Sequence, residues 1–139
     1  MNNEQVEELA RHRLRQIFPL FEEAHKVQVS ESGRCIGYRT AAENLGSMDG
    51  TTHFDIQLIG DICYILWVEL EKDKRGRGYG WKLYETIHHF ARDLKLAKVR
   101  QTPSGGFIID GKIKETRRDY LLKRGYVPCG ELEVEIALR

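Results

Sequence analysis

The chain has 139 residues, of which 41% are hydrophobic and 31% charged, and this is typical of one soluble globular domain with a buried core. Its 22 lysines and arginines nearly balance its 21 aspartates and glutamates, so the overall charge does not favour nucleic acid or an anionic membrane as a partner. No apolar run approaches the ~20 residues of a membrane helix, and the N-terminus lacks the apolar core of a signal peptide. We therefore expect one domain over residues 1–139, located in the cytoplasm.

Cysteine and histidine do not follow the spacing of a metal site. The three cysteines are far apart and lack a CxxC pattern, which favours reduced and mostly buried thiols over a disulfide framework. No two histidines are three to five residues apart, and the adjacent His88 and His89 would point to different sides of a helix. We expect no bound metal.

The N-terminal part predicts a helix followed by two strands. Apolar residues at spacings of three and four predict a helix over residues 4–24, divided at Pro19 because proline fits the first turn of a second, short helix. Weak alternation over residues 26–30 and the run 34–40 predict strands. Residues 43–50 have the composition of a loop.

The middle of the chain predicts a hairpin, a helix and a further strand. Alternation over residues 52–60 predicts a half-buried strand, and the apolar run 61–70 predicts a central strand covered on both faces. Gly60 and Asp61 form the tight connection of an antiparallel pair. An apolar stripe predicts an amphipathic helix over residues 79–95, and residues 97–102 follow as a strand.

The C-terminal part predicts a small hairpin, a helix and two short strands. The hairpin turns at Asp110 and Gly111, and the helix covers residues 114–124 and ends at Gly125, a residue that readily adopts the left-handed conformation of a helix stop. The whole pattern predicts an α+β domain, similar to an α/β sandwich, with a mixed and mostly antiparallel central sheet flanked by helices.

Three glycines lie within five positions of the segment DKRGRGYGW, residues 73–81. Glycine at this density lets another group approach the main chain closely, and a helix N-terminus that follows it favours a pyrophosphate. The segment is not a P-loop, because GxxxxGK followed by Ser or Thr is absent. A dinucleotide fingerprint is disfavoured because the spacing is GxGxG and the preceding strands predict an antiparallel meander.

The glycine segment resembles a known signature. Residues 75–80, RGRGYG, resemble R/Q-x-x-G-x-G/A, the signature loop of the GNAT superfamily of acyl-CoA-dependent N-acyltransferases. Residues 119–130, DYLLKRGYVPCG, resemble the C-terminal motif of that family, and the order of elements over residues 52–139 is similar as well. The resemblance implies a GNAT-type fold and acetyl-CoA as co-substrate.

The resemblance also implies which residues hold the cofactor. The strand before the glycine loop would hydrogen-bond the pantetheine arm, the amides of the loop and helix start would face the pyrophosphate, and two arginines would add positive charge. On this chain the implied cofactor-binding residues are Val68, Glu69, Leu70, Arg75, Gly76, Arg77, Gly78, Tyr79, Gly80 and Trp81.

Transfer to an amine needs a base and an acid. An alkylammonium with a pKa near ~10.4 must lose a proton, whereas a thiol with a pKa near ~8.5 leaves with modest acid assistance. In the resembling family a tyrosine four residues before the motif glycine often serves as the acid. Here that position holds Leu121, and Tyr120, one residue earlier, is the candidate. Glu69 and Tyr64 are candidate bases, and their opposite parity places only one of them toward the acceptor unless a β-bulge intervenes.

The sequence gives less information about the amine that accepts the acetyl group. Glu131, Glu133 and Glu135 alternate with apolar residues, as in a groove for a cationic substrate or, more often, the wet face of an edge strand. His53 and Trp67 are interpreted as core residues. The insert at residues 103–114 leaves three roles open, which are a lid, a partner surface and a contact of a homodimer.

These observations predict an enzyme, an N-acetyltransferase that transfers the acetyl group of acetyl-CoA directly to a primary amine of a small molecule or peptide in a ternary complex. Cys63 is interpreted as core and not as a nucleophile. The alternative is a GNAT-like module that binds acyl-CoA or a protein partner without catalysis. A third hypothesis, an accessory domain that contacts RNA or peptide, rests on a basic cluster: Arg117, Arg118, Lys123 and Arg124.

Overall fold

The computed structural model describes residues 2–17, 25–30, 34–40, 53–69, 79–109 and 111–138. Within these ranges the helices are α1 (Asn3–Ile17), α2 (Tyr79–Asp93) and α3 (Arg117–Leu122). The strands are β1 (His25–Val29), β2 (Cys35–Thr40), β3 (His53–Ile59), β4 (Ile62–Glu69), β5 (Lys98–Gln101), β6 (Gly106–Ile109), β7 (Lys112–Thr116), β8 (Val127–Pro128) and β9 (Val134–Ala137).

Seven of these strands form one mixed sheet. The strand order is β1-β2-β3-β4-β5-β9-β8, and β6 and β7 form a separate two-stranded hairpin. Within the described sheet, β4 and β5 run parallel, and every other neighbouring pair is antiparallel. The predicted fold class, a mixed and mostly antiparallel sheet flanked by helices, is therefore confirmed.

The core lies between one face of the sheet and the apolar side of α2. Leu83, Ile87 and Phe90 recur at spacings of three and four along α2 and are at most 2% exposed. They belong to the same cluster as Cys63 and Val99, which face them from the central strands. Because fully burying a large apolar side chain contributes about 2 kcal/mol, this single contact layer fixes α2 against the middle of the sheet.

A paired arginine links the first two helices. The Nε and Nη2 atoms of Arg13 in α1 donate to the two carboxylate oxygens of Asp93 at the end of α2, at 2.6 and 2.8 Å. This ion pair lowers the pKa of Asp93, chiefly through the hydrogen bond from Arg13. The predicted continuation of the first helix through Pro19 lies outside the described residues, as does the predicted loop at 43–50.

The last helix is shorter than the sequence predicted. The hairpin strand β7 continues to Thr116, which then caps α3 by accepting a hydrogen bond from the amide of Asp119 at 3.1 Å. At the other end the amide of Tyr126 donates to the carbonyl of Leu121 at 3.1 Å, and Gly125 has a φ of 101°. This is the geometry of a Schellman motif, and it confirms the predicted stop at Gly125.

The prediction that the central strand is covered on both faces was wrong. The buried face carries Cys63, Ile65 and Val68. Leu66 and Trp67 are instead 55% and 44% exposed, so Trp67 is not a core residue either. The apolar run of β4 thus has two roles, because one face builds the core and the other carries aromatic side chains beside the site described below.

Candidate functional site

An opening lies between β4 and β5, the parallel pair. The two strands are paired from Ile62 and Lys98 to Ile65 and Gln101, where β5 ends. β4 continues to Glu69, and no described strand pairs with its last four residues on the β5 side. Pro103 lies two residues beyond β5 and has no amide proton to extend the ladder. Within the described residues, the main-chain groups of Leu66–Glu69 therefore have no partner strand on that side, and this end of the parallel pair is the opening referred to below.

A β-bulge in β4 lies where the two strands separate. Asp55 of β3 is paired with Trp67 and the next residue, Ile56, is paired with Ile65, so Leu66 is the extra residue. The bulge reverses the parity of the strand, and Tyr64, Trp67 and Glu69 lie on the same face. The expectation that Tyr64 and Glu69 point to opposite faces held only for a regular strand, and the bulge corrects it.

The two candidate bases have different partners on this face. The indole Nε1 of Trp67 donates to the carboxylate Oε2 of Glu69 at 3.1 Å. The hydroxyl of Tyr64 accepts a hydrogen bond from Nη1 of Arg100 at 2.8 Å, and Arg100 also binds Glu135 through Nε and Nη2. Glu69 is thus held beside an exposed indole, whereas Tyr64 is part of an ionic network between β4, β5 and β9.

The helix-facing side of the opening is closed by a buried polar contact. The hydroxyl of Tyr84 in α2 donates to Oε1 of Gln101 at 2.8 Å and accepts from Nη1 of Arg117 at 3.3 Å. Gln101 is 3% exposed and is the last residue of β5. Burial raises the pKa of Tyr84, so this side of the opening carries neutral hydrogen-bonding groups and one fixed cation.

Tyr120 lies close to the beginning of α2. Its ring is centred 6.3 Å from those of Trp81 and Tyr84, and a Cβ placed on Gly80 would lie 3.8 Å from its hydroxyl oxygen. Tyr120 is 8% exposed, and burial raises its pKa. Leu121, which occupies the position of the tyrosine in the resembling family, is a fully buried core residue. Tyr120, one residue earlier, reaches the first turn of α2.

The N-terminus of α2 completes the geometry. The first amides of any α-helix have no intrahelical acceptor, and the positive end of the helix dipole lies there. The first turn of α2 contains Gly80 and Trp81 and no acidic residue. The predicted loop contacts of Leu70, Arg75, Gly76, Arg77 and Gly78 and the side chain of Tyr79 lie outside the described residues.

Solved structures with the same architecture exist. Nourseothricin acetyltransferase is 12% identical, with 84% of each chain covered and a TM-score of 0.54. An acetyltransferase of the GNAT family from Staphylococcus aureus is 12% identical, with 100% of this chain and 96% of that one covered and a TM-score of 0.51. The chain has the GNAT fold. No family profile and no curated protein sequence matches it.

A third solved structure of this fold contains coenzyme A. The PaiA N-acetyltransferase from Thermoplasma acidophilum, in complex with coenzyme A, is 10% identical, with 99% of this chain and 95% of that one covered and a TM-score of 0.51. At identities this low, the matches show that the GNAT fold is shared. They do not show which residues of this chain form the site.

The glutamates near the C-terminus do not line an edge of the GNAT sheet. β9 lies between β5 and β8, so the prediction of an edge strand was wrong. Glu135 binds Arg100 at 2.7 Å and Lys98 at 3.3 Å, and these hydrogen bonds, chiefly that from Arg100, lower its pKa. Glu131 is exposed and precedes β9. A groove of three unneutralised carboxylates is therefore not formed.

The basic cluster of the last helix makes internal contacts. Arg117 binds Tyr84 and donates to the carbonyl of Ser104, and Lys123 binds Glu115. Arg124 donates to the carbonyl of Tyr120 at 3.0 Å. Three of the four cations are thus held by the protein itself, which weakens the hypothesis of a nucleic-acid or peptide surface.

Sequence reasoning missed an aromatic cluster behind the opening. Trp81, Tyr84 and His88 recur along one side of α2 at spacings of three and four, and their rings contact those of Tyr120 and Tyr126. The spacing was a usable signal, but it lies beside the stronger aliphatic stripe of the same helix. Cys63 is fully buried as predicted, and burial raises its pKa to about 12, far from that of a nucleophile.

The described residues contain neither a candidate metal site nor a membrane-spanning helix. These residues bring together no group of three or more histidine, cysteine, aspartate or glutamate side chains that could hold a metal ion. None of the described helices has the length and apolar character needed to cross a membrane.

Proposed function

We propose that the protein is an N-acetyltransferase that transfers the acetyl group of acetyl-CoA to a primary amine by direct attack in a ternary complex. The observation that carries the proposal is the opening beyond Ile65 and Gln101, where bulged β4 continues without a described partner strand and Tyr120 approaches the N-terminus of α2. The GNAT fold and its solved acetyltransferases support the same reaction class.

The cofactor would extend from the opening to the helix. Main-chain groups of Val68, Glu69 and Leu70 would hydrogen-bond the amides of the pantetheine arm. The amides of residues 76–81 would bind the pyrophosphate, since they combine glycine-permitted approach with the helix dipole. Arg75 and Arg77 would add charge-assisted contacts to the phosphates.

Glu69 is our preferred base. Its carboxylate lies on the same face as the exposed indole of Trp67, which donates to it and orients it at the border of the opening. From there it could take a proton from the incoming ammonium directly or through one water. Tyr64 already accepts a hydrogen bond from Arg100, and we assign it to the structural network on that face.

Tyr120 is the proposed acid. When the amine nitrogen attacks the acetyl carbonyl, it becomes positively charged and loses its second proton to solvent. As the C–S bond breaks, the sulfur leaves as a thiolate, and the Tyr120 hydroxyl supplies the proton that makes it a thiol. Burial raises the pKa of Tyr120, so the phenol stays protonated and ready to donate at neutral pH. Solvent would then return a proton to the phenolate.

A second function has one observation in its favour. Tyr120 is only 8% exposed, as a tyrosine with a purely structural role would be. A domain of this fold that binds acyl-CoA or a protein partner without catalysis would keep the same opening and the same packing. The two functions differ in turnover, because both predict stabilisation by acetyl-CoA and only one predicts release of its thiol.

The test measures free-thiol release from acetyl-CoA across a panel of primary amines, including polyamines, amino acids, aminoglycosides and peptide N-termini. With an amine that supports turnover, Tyr120→Phe should lower kcat at least ~10-fold, since general acid catalysis commonly contributes that much or more. The variant should keep its thermal stabilisation by acetyl-CoA. Tyr126→Phe is the matched control, because it also removes a buried hydroxyl but one that contacts His88.

The outcomes separate the two functions. If Tyr126→Phe keeps its turnover and Tyr120→Phe loses it, the result supports an acetyltransferase in which Tyr120 is the acid. Stabilisation by acetyl-CoA without thiol release from any amine would favour the binding module. An unchanged kcat in Tyr120→Phe would remove Tyr120 as the acid.

A further inference from the structure

We infer that Arg124 is a positioning residue for Tyr120, holding the phenol ring against Trp81 and stabilising the phenolate that forms when the proton leaves. The inference rests on the proposed function, because it assumes that Tyr120 donates a proton. It assigns a role to a cation that lies four residues after Tyr120, at the C-terminal end of α3.

Arg124 contacts both the ring and the main chain of Tyr120. Its guanidinium carbon lies 3.6 Å from the centroid of the Tyr120 ring, and its Nη1 donates to the Tyr120 carbonyl at 3.0 Å. The same carbon lies 5.8 Å from the ring centroid of Trp81. A guanidinium placed over one ring face and tied to the same residue's backbone leaves the ring little freedom to turn.

The Tyr120 ring is also held by aromatic contacts. Trp81 meets the Tyr120 ring nearly edge-on, with an interplanar angle of 72°, and Tyr84 is tilted against it at 48°. Both residues belong to α2, whose first turn Tyr120 approaches at Gly80. Arg124 therefore fixes the direction of the hydroxyl relative to the helix N-terminus where the cofactor is proposed to bind.

The charge of Arg124 acts on the reacting proton. Among the described residues, four charged or titratable groups influence the pKa of Tyr120, namely Arg117 of α3, Arg124 in the turn after α3, Tyr84 of α2 and Glu115 of β7. Burial raises the pKa of Tyr120, and Arg124 is the largest influence that lowers it. Glu115 is itself bound to Lys123, which offsets its negative charge. Removing the Arg124 cation would thus leave a weaker acid.

Arg124 would act at the step in which Tyr120 loses its proton to the thiolate. As the C–S bond breaks, the Tyr120 hydroxyl transfers its proton to the sulfur and becomes a phenolate. That anion faces the guanidinium until solvent returns a proton. The cation thus interacts more strongly with the state that follows proton transfer than with the neutral phenol, which is the requirement for accelerating the step.

The test compares Arg124→Gln with Arg124→Lys in kcat measured across pH, with KM for acetyl-CoA. Arg124→Gln should lower kcat at neutral pH about fivefold, as expected for loss of a cation over an aromatic ring, while KM changes less than about twofold. The acid is active when protonated, so kcat falls as pH rises through its pKa. Because that pKa rises without the cation, the alkaline limb should move to higher pH.

Arg124→Lys keeps the charge and should restore at least about half of the lost kcat and return the alkaline limb toward its original position. Lys112→Gln is the matched control, since it removes an exposed cation of β7 that is not among the groups that influence the pKa of Tyr120. Its kcat and pH profile should match those of the original protein.

Three results would overturn the inference. They are an Arg124→Gln protein with unchanged kcat and pH profile, an Arg124→Lys protein as impaired as Arg124→Gln, and a Lys112→Gln protein whose alkaline limb moves as far as that of Arg124→Gln. The proposed function is tested separately by Tyr120→Phe. A slow Tyr120→Phe with a normal Arg124→Gln refutes only this inference, whereas a normal Tyr120→Phe refutes the acid on which it rests.

Discussion

Two adjacent histidines in α2 have opposite environments. His88 is 4% exposed and its Nε2 contacts the hydroxyl of Tyr126, whereas His89 is exposed. Burial lowers the pKa of His88 to about 4, with smaller contributions from Arg92 and His89. The sequence predicted that the pair points to different sides of the helix, and the structure confirms it.

His88 should make the fold sensitive to mild acid. Its pKa is about 6.5 in the unfolded chain and about 4 in the folded one, so the neutral imidazole stabilises the fold fully above pH 6.5. The stabilisation declines as pH falls from 6.5 to 4, by on the order of 3 kcal/mol. Denaturant unfolding at several pH values should show a flatter dependence in His88→Gln than in the original protein.

His89→Gln is the control for this measurement, because it removes an exposed histidine from the neighbouring position. It should keep the original slope between pH 4 and 6.5. Carboxylates such as Asp93, whose pKa the Arg13 pair lowers, weaken the fold in acid in all three proteins, so slopes and not absolute stabilities are compared. Equal slopes in both variants would show that His88 is not the source.

The sequence was informative about some residues of the site and silent about others. Tyr120 and Glu69 were predicted from motifs in which all residues are close together in sequence. The sequence did not predict the contact of Tyr84 with Gln101 and Arg117. These three residues belong to α2, β5 and α3, which are distant from one another in sequence. The stacking of Arg124 on Tyr120 needs side-chain directions, which a pattern of residue types does not contain.

Among the elements, β4 carries most of the proposed site. Its bulge at Leu66 places Trp67 and Glu69 on the open face and coincides with the point where β5 ends. A bulge bends and twists the strand that contains it, and here it re-aims the main-chain groups that would meet the pantetheine arm. The parity argument from sequence applied to a regular strand and made an exception for a bulge, and the bulge at Leu66 is that exception.

Deleting Leu66 tests the role of the bulge. The remaining sequence still alternates, with Ile65 and Val68 facing the core and Trp67 and Glu69 outside, so the protein should fold. The main chain after Ile65 would shift along the strand by about 3.3 Å relative to α2. We expect acetyl-CoA to bind at least ~10-fold more weakly by calorimetry.

Leu66→Ala is the matched control, because it trims the same exposed side chain and keeps the extra residue. Its affinity for acetyl-CoA should stay within about twofold of the original protein's, and its unfolding temperature should remain close to the original. If the deletion variant binds acetyl-CoA as well as Leu66→Ala does, the bulge has no part in the site.

Element boundaries were predicted best where one physical signal dominated. The aliphatic stripe placed α2 within two residues of its observed end, and Gly125 marked the end of the last helical segment because its φ is positive. The start of α3 was missed by three residues. There the strand pairing of β7 with β6 continues to Thr116, and a long-range pairing is not encoded in helix propensity.

At the scale of the whole molecule, the opening depends on the one parallel pair in the described sheet. β4 and β5 are joined through α2, so their last paired residues and the N-terminus of α2 meet at the same edge. Composition and periodicity predicted the strands and the helix but not their order in the sheet, and the prediction that β9 lies at an edge was wrong for that reason.

The most direct test of the account is amide hydrogen exchange, followed by NMR, with and without acetyl-CoA. The account predicts slower exchange at Leu66–Glu69 and at Gly80 and Trp81, because these main-chain groups border the proposed cofactor site. Exchange in β1 and β2, at the far end of the sheet, should not change. Saturating acetyl-CoA that protects neither the end of β4 nor the start of α2 would contradict the central claim.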